Sequence, residues 1–221
     1  MKDLYLFDID GTLVDMTNLH VAAYQTAYRS VVGRDVTREL LVSKFGKVER
    51  QIHEEVFQEL RISDKGKIDK VISKYESSIV DVIESVDITL LPGVADFLKS
   101  LKEKDVYLGV ITGNPPLVGS SILGKTHLTP FFSIFSYGEI VENREGIVAH
   151  AIKEANKRGY RFNKVVVIGD SPSDIKAGKS VGAFTVGVAT GHYDKGKLEE
   201  AGADLVLDTL IQYDKVLDAL K

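Results

Sequence analysis

The sequence predicts an α/β fold in which a parallel sheet is flanked by helices and interrupted by a block of inserted helix. Three observations lead there. Short apolar or β-branched runs recur at 3–9, 106–111, 133–136, 164–168 and 183–188. Amphipathic stretches near 93–102, 115–123, 146–157 and 173–181 alternate with the later runs, the pattern of a parallel sheet with right-handed crossovers. Residues 15 to about 91 show helical periodicity and no convincing strand, too much chain for one crossover helix.

In chain order, the run Leu4-Tyr5-Leu6-Phe7 leads into Asp8-Ile9-Asp10-Gly11-Thr12-Leu13. Strand side chains alternate faces, so Asp8 and Asp10 would share one if the strand geometry continued. Two such carboxylates can serve one reaction centre, one as nucleophile and one as acid/base, and Gly11 lets the chain turn and amides approach an anion. The inserted segment carries a weak stripe, Leu19, Ala22, Ala23 and Ala27, then a stronger one, Ile52, Val56, Phe57 and Leu60. A third, Val71, Ile72, Tyr75, Ile79, Val82 and Ile83, follows. Leu91-Pro92-Gly93 punctuates the return. The run 106–111 ends in Thr112-Gly113-Asn114, whose hydroxyl and following amide could hold an anionic oxygen, although Thr before Gly-Asn is also a common strand-to-turn transition. Arg144 precedes a helix marked by Ile147, Val148, Ala151, Ile152 and Ala155. Lys164 to Asp170 is another β-branched run, ending Gly169-Asp170 and continuing Ser171-Pro172-Ser173-Asp174, where Ser171 or Ser173 suits a helix cap and Pro172 its first turn. Asp8, Thr112 and Asp170 all follow or end strands, and ligands of open parallel sheets sit beyond those ends.

Composition narrows the classes. The chain has 221 residues, 44% hydrophobic and 27% charged, with net charge −4, an ordinary globular balance with no general pull toward nucleic acid or anionic membrane. Cysteine is absent, which excludes disulfides, thiolate catalysis and Cys-based zinc sites. No apolar run approaches the ~20 residues of a membrane span, and the chain enters a strand at once, leaving no room for a leader. A cytoplasmic protein, a monomer by default, is expected.

The ordered set of motifs resembles the haloacid dehalogenase superfamily: DxDGT at Asp8–Thr12, Thr112 as second signature and GDSPSDI at Gly169–Ile175. The helical insertion resembles the cap of its phosphoglycolate-phosphatase-like and β-phosphoglucomutase-like branches. The resemblance implies a Rossmann-like catalytic core over 1–14 and 92–221 and a helical cap over 15–91. It implies a Mg²⁺-dependent phosphatase acting on a small phosphorylated metabolite, with Asp8 attacking phosphorus to form an aspartyl-phosphate and Asp10 as acid/base. Asp8 and Asp170 side chains and the Asp10 carbonyl would hold the metal, with Asp174 organising its hydration. Thr112, Gly113, Asn114 and Arg144 would bind phosphate. The family's usual Lys, often followed by Pro, is missing, and Arg144 is the best placed cation; the lesser alternative is a surface Arg beside Glu142 and Glu145. In the cap, Gly46, Lys47 and Arg50 resemble the specificity-loop region and could meet a second charged group, but the same charges suit a solvated helix start. His20 lies where β-phosphoglucomutases carry a functional His, or is structural. A sugar phosphomutase and a catalytically inactive regulatory member are the alternatives.

Overall fold

Strand β1, Lys2–Phe7, is apolar on both faces and becomes the centre of the sheet, buried from Leu4 to Phe7. The computed structural model describes residues 1–221, the side chain of Ile140 excepted. After β1 come four helices, α1 (Thr17–Val32), α2 (Arg38–Val42), α3 (Glu49–Glu59) and α4 (Ile68–Ser85). Strands and helices then alternate: α5 (Val94–Glu103), β2 (Tyr107–Thr112), α6 (Pro116–Lys125), β3 (Ile134–Tyr137), α7 (Arg144–Lys157) and β4 (Phe162–Gly169). The chain ends with α8 (Pro172–Ser180), β5 (Phe184–Val188), α9 (Lys195–Glu200), β6 (Leu205–Leu207) and α10 (Asp214–Ala219).

The six strands form one parallel sheet in the order β3-β2-β1-β4-β5-β6. The chain therefore winds outward in one direction from β1 and then outward in the other from β4. Between β1 and β4 lies the switch point, where the crevice for a ligand opens beyond the carboxyl ends. Alternation along β1 separates the two faces: Leu4 and Leu6 pack with Ile147, Val148 and Ala151 of α7. Tyr5 and Phe7 face the side covered by Phe97 and Leu101 of α5 and Val118 and Ile122 of α6. Phe97 stands edge-on to Phe7 at 5.7 Å between ring centroids.

Helices α1–α4 gather around Tyr24, Tyr28, Phe57 and Tyr75, with α1 packed along α4 and α4 along α6. The connections into and out of this block run side by side: Val14 bridges Leu90, and the Leu91 amide donates to the Leu13 carbonyl at 2.9 Å. Gly93 then adopts φ +88° where the backbone of Leu210 and Ile211 leaves no room for a side chain.

The expected strands and helices are present with ends shifted by one or two residues. Residues 205–207 and the short helices α9 and α10 were not anticipated. The stripe expected on the first inserted helix is corrected: Ala22 is exposed, and the buried residues are His20, Val21, Ala23, Tyr24, Ala27 and Tyr28. Two tyrosines and a histidine bury because their hydroxyls and ring nitrogens find partners inside. Among the described residues no helix is long and apolar enough to cross a membrane.

Candidate active site

The turn after β1 holds its carboxylates by backbone geometry. The Asp8 amide donates to Ile168 of β4 at 2.9 Å, continuing the ladder by one residue. Gly11, at φ +77°, then lets the chain fold back with its amide on the Val14 carbonyl at 2.7 Å. A Cβ at Gly11 would fall 2.4 Å from Asp170 Oδ2, and one at Gly191, just past β5, 1.6 Å from it. Both glycines are thus the space in which the Asp170 carboxylate sits.

At the start of α8, Ser171 is the N-cap and Pro172 the first helical residue, with Asp174 three residues on completing a reciprocal capping box. Asp174 Oδ2 accepts from the Ser171 hydroxyl at 2.6 Å, and its Oδ1 accepts from Arg144 Nε at 2.7 Å. Arg144 opens α7, whose N-cap is Asn143, and is 4% exposed. Its guanidinium bridges Asp174 and Asp8, so the surface alternative for this arginine is corrected.

Asp8, Asp170 and Asp174 bring carboxylate oxygens within 4.8 Å of one another. Burial, with the charges of Asp174 and Asp10, outweighs Arg144 and pushes the Asp8 carboxyl up to about 8. Burial likewise lifts Asp170 well above the ordinary carboxylate range, reinforced by Asp8 and Asp174. Three carboxylates against one guanidinium leave a formal deficit of two positive charges. A divalent cation with a preference for hard oxygen ligands fits that deficit and that donor set.

Asp10 lives in a different field. His20 Nε2 donates to its Oδ1 at 2.8 Å and Asn114 Nδ2 to its Oδ2 at 2.5 Å. Burial pushes Asp10 upward, but the facing His20 and the Asn114 amide hold its carboxyl below the ordinary value. Burial conversely pushes His20 down, and Asp10 more than reverses this, so the imidazole binds its proton more tightly than usual. His20 Nδ1 lies 2.8 Å from the Tyr75 hydroxyl on α4, which fixes the ring.

A cleft enclosing about 70 Å³ opens over these groups. Asp8, Asp10, His20, Gly46, Lys47, Thr112, Gly113, Asn114, Arg144 and Asp170 all border it, whereas Asp174 lies directly behind Arg144 and Asp170. Thr112 closes β2, and its Oγ1 accepts from the Asn114 amide at 3.2 Å. The turn between α2 and α3 rests on Gly113, with the Glu49 amide 3.3 Å from the Gly113 carbonyl. Lys47 reaches the cleft, but its ammonium is held by both oxygens of Glu55, at 2.5 and 2.6 Å. Arg50 is not in this cleft; it pairs with Asp69 in a separate groove. Cleft residues not foreseen from the sequence include Glu49, Tyr24 and Ile52 on the inserted helices, Phe45 in the α2–α3 turn, and Gly191, His192 and Tyr193 after β5. The last three carried a signal, since Gly191 follows a strand end as Asp8 and Asp170 do.

The family profile of the haloacid dehalogenase-like hydrolases matches residues 5–188. The chain belongs to that family. It is an enzyme of the hydrolase class. A phosphorylated carbohydrates phosphatase of Thermotoga maritima is 27% identical over 98% of this chain and 97% of its own. A phosphoglycolate phosphatase of Synechococcus elongatus is 24% identical over 92% of each chain. A β-phosphoglucomutase of Clostridium difficile shares the fold with a TM-score of 0.82 at 20% identity, over 99% of this chain and 96% of that one.

Proposed function

We propose that this hydrolase is a phosphatase that cleaves a small phosphomonoester through a phosphorylated Asp8. The observation that carries the reading is the meeting of Asp8, Asp10, Thr112, Arg144 and Asp170 at one cleft over the ends of β1, β2 and β4. Asp8 attacks phosphorus, the bond from phosphorus to the alcohol oxygen breaks, and the leaving oxygen takes a proton from Asp10. The Asp10–His20 pair stores that proton, because the carboxyl is held low and the imidazole high. Asp10 then takes a proton from water attacking the same phosphorus, which frees Asp8. Thr112, the Gly113 amide, Asn114 and Arg144 hold the transferring oxygens. Mg²⁺ held by Asp8, Asp170 and the Asp10 carbonyl would neutralise the charge that a carboxylate meets on approaching a phosphate dianion. Asp174, whose oxygens already accept from Arg144 and Ser171, suits a supporting place behind that site.

In this reading residues 1–14 and 92–221 form the catalytic core, and residues 15–91 a cap that shields the cleft from water. A mutase would need a cationic seat for the second phosphate of a bisphosphate, and Lys47 and Arg50 are taken up by Glu55 and Asp69. The test is phosphate release from a panel of metabolite phosphomonoesters, with Mg²⁺ and with EDTA, for wild type and Asp8→Asn. Metal-dependent turnover that vanishes in Asp8→Asn supports the mechanism. Equal turnover by the variant removes Asp8 as nucleophile.

A further inference from the structure

We infer that Glu49 selects the leaving group: the substrate releases an uncharged, hydroxyl-bearing alcohol, and a carboxylated or second phosphorylated group is rejected. The inference rests on the phosphatase reading and adds a substrate class to it. Glu49 borders the cleft and is 5% exposed. Its Oε1 lies 2.6 Å from His53 Nε2, and its Oε2 accepts from the Tyr24 hydroxyl at 2.8 Å. His53 is fixed in turn by Tyr28, whose hydroxyl is 2.9 Å from Nδ1. The carboxylate is therefore built in and oriented rather than swept in by a mobile side chain. Each oxygen keeps a second lone pair for a donor from the substrate.

An anion in this part of the cleft would meet the Glu49 oxygens, while His53, fully buried behind Glu49 and paired with it, does not border the cleft. Arg144 is committed to Asp8 and Asp174, Lys47 to Glu55, and His20 to Asp10. Burial strengthens the repulsion, because little solvent intervenes to screen it. A hydroxyl, in contrast, donates to Glu49 while the carbon skeleton lies against Tyr24, Phe45 and Ile52.

Glycerol 3-phosphate and 3-phosphoglycerate test this directly, since they differ only by hydroxymethyl against carboxylate. Wild type is expected to favour glycerol 3-phosphate in kcat/KM by up to about a thousandfold, the size of one charge contact at about 4 Å and an effective dielectric near 20. Glu49→Gln keeps the shape and should move that ratio toward 3-phosphoglycerate by about tenfold or more. A wild type that prefers 3-phosphoglycerate, or that treats the pair alike, overturns the inference. So does a folded Glu49→Gln with an unchanged ratio, and if that variant does not fold, the wild-type ratio alone decides. p-Nitrophenyl phosphate separates the two levels of failure. Its cleavage without the expected selectivity sinks only the role of Glu49, whereas no cleavage of any of the three esters sinks the phosphatase reading as well.

Discussion

Gly113→Ala isolates the contact between the inserted helices and the sheet. A Cβ at this position would stand 2.3 Å from the Lys47 carbonyl oxygen, whereas ordinary contact begins at 3.4 Å. The obstacle is backbone, so no rotamer change relieves it. The α2–α3 turn would have to lift by roughly 1 Å, a displacement of the size that costs about a hundredfold in rate when it misplaces substrate-positioning groups. The fold has no comparable reason to suffer: Gly113 lacks a positive φ, so alanine can take its backbone conformation. The expected result is kcat/KM lower by about a hundredfold on the best substrate, with an unfolding midpoint within a few degrees of wild type. Truncating Lys47 to alanine in the same chain should restore nothing, since its carbonyl remains. Wild-type kinetics in Gly113→Ala would refute the argument that the turn must seat on Gly113 for catalysis.

Other expectations follow from the buried groups. Mg²⁺ at about a hundred times its Kd should stabilise the protein by about 2.7 kcal/mol, an unfolding midpoint rise of roughly 5–11 °C for a chain of this size. Differential scanning fluorimetry should show that rise lost in Asp170→Asn, and an equal rise in the variant would place the metal elsewhere. Thr12 Oγ1 is the one buried side-chain polar atom without a hydrogen-bond partner among the described residues. Thr12→Val should therefore raise stability by about 1 kcal/mol, and a drop in midpoint would show that the hydroxyl is satisfied. Asp204 accepts from the Thr185 amide at 2.7 Å and from Lys179 at 2.5 Å. Burial pushes it up, but these donors hold its carboxyl below the ordinary value. The folded state then binds the Asp204 proton less tightly than the unfolded chain. Its stabilisation is present above the ordinary carboxylate pKa and fades as pH falls through the lowered one. Asp204→Asn should lower the midpoint at pH 7 by about 2–4 °C, and the difference should shrink as pH approaches 3. A difference that stays constant across that range would rule out the charge as its origin.

The groups that were readable in the sequence are those whose position follows from a strand end. Asp8, Thr112 and Asp170 each close an apolar run, and the sheet brings such ends together without further information. Arg144 was readable because it opens a periodic helix, although its burial between Asp8 and Asp174 was not. Glu49 stood four residues before His53, a spacing indistinguishable from ordinary helix surface until α1 supplied Tyr24 and Tyr28 from another part of the chain. The charges of Lys47 and Arg50 looked available because their partners lie elsewhere, Glu55 along α3 and Asp69 on α4. Pairing of this kind depends on how helices pack, which hydrophobic periodicity does not specify. The strand at 205–207 is only three residues long, too short for alternation to register.

The central place of β1 has a consequence for synthesis. Its two neighbours in the sheet are β2 and β4, and β4 lies some 155 residues further along the chain. At the usual pace of translation, Leu4-Tyr5-Leu6-Phe7 waits roughly 8–30 s with at least one edge unpaired. An apolar strand in that condition is the template on which nascent chains associate. Chaperone demand during expression should therefore track the delay before residue 168 emerges, and ribosome pausing between 112 and 162 should lower the soluble yield without altering the finished enzyme.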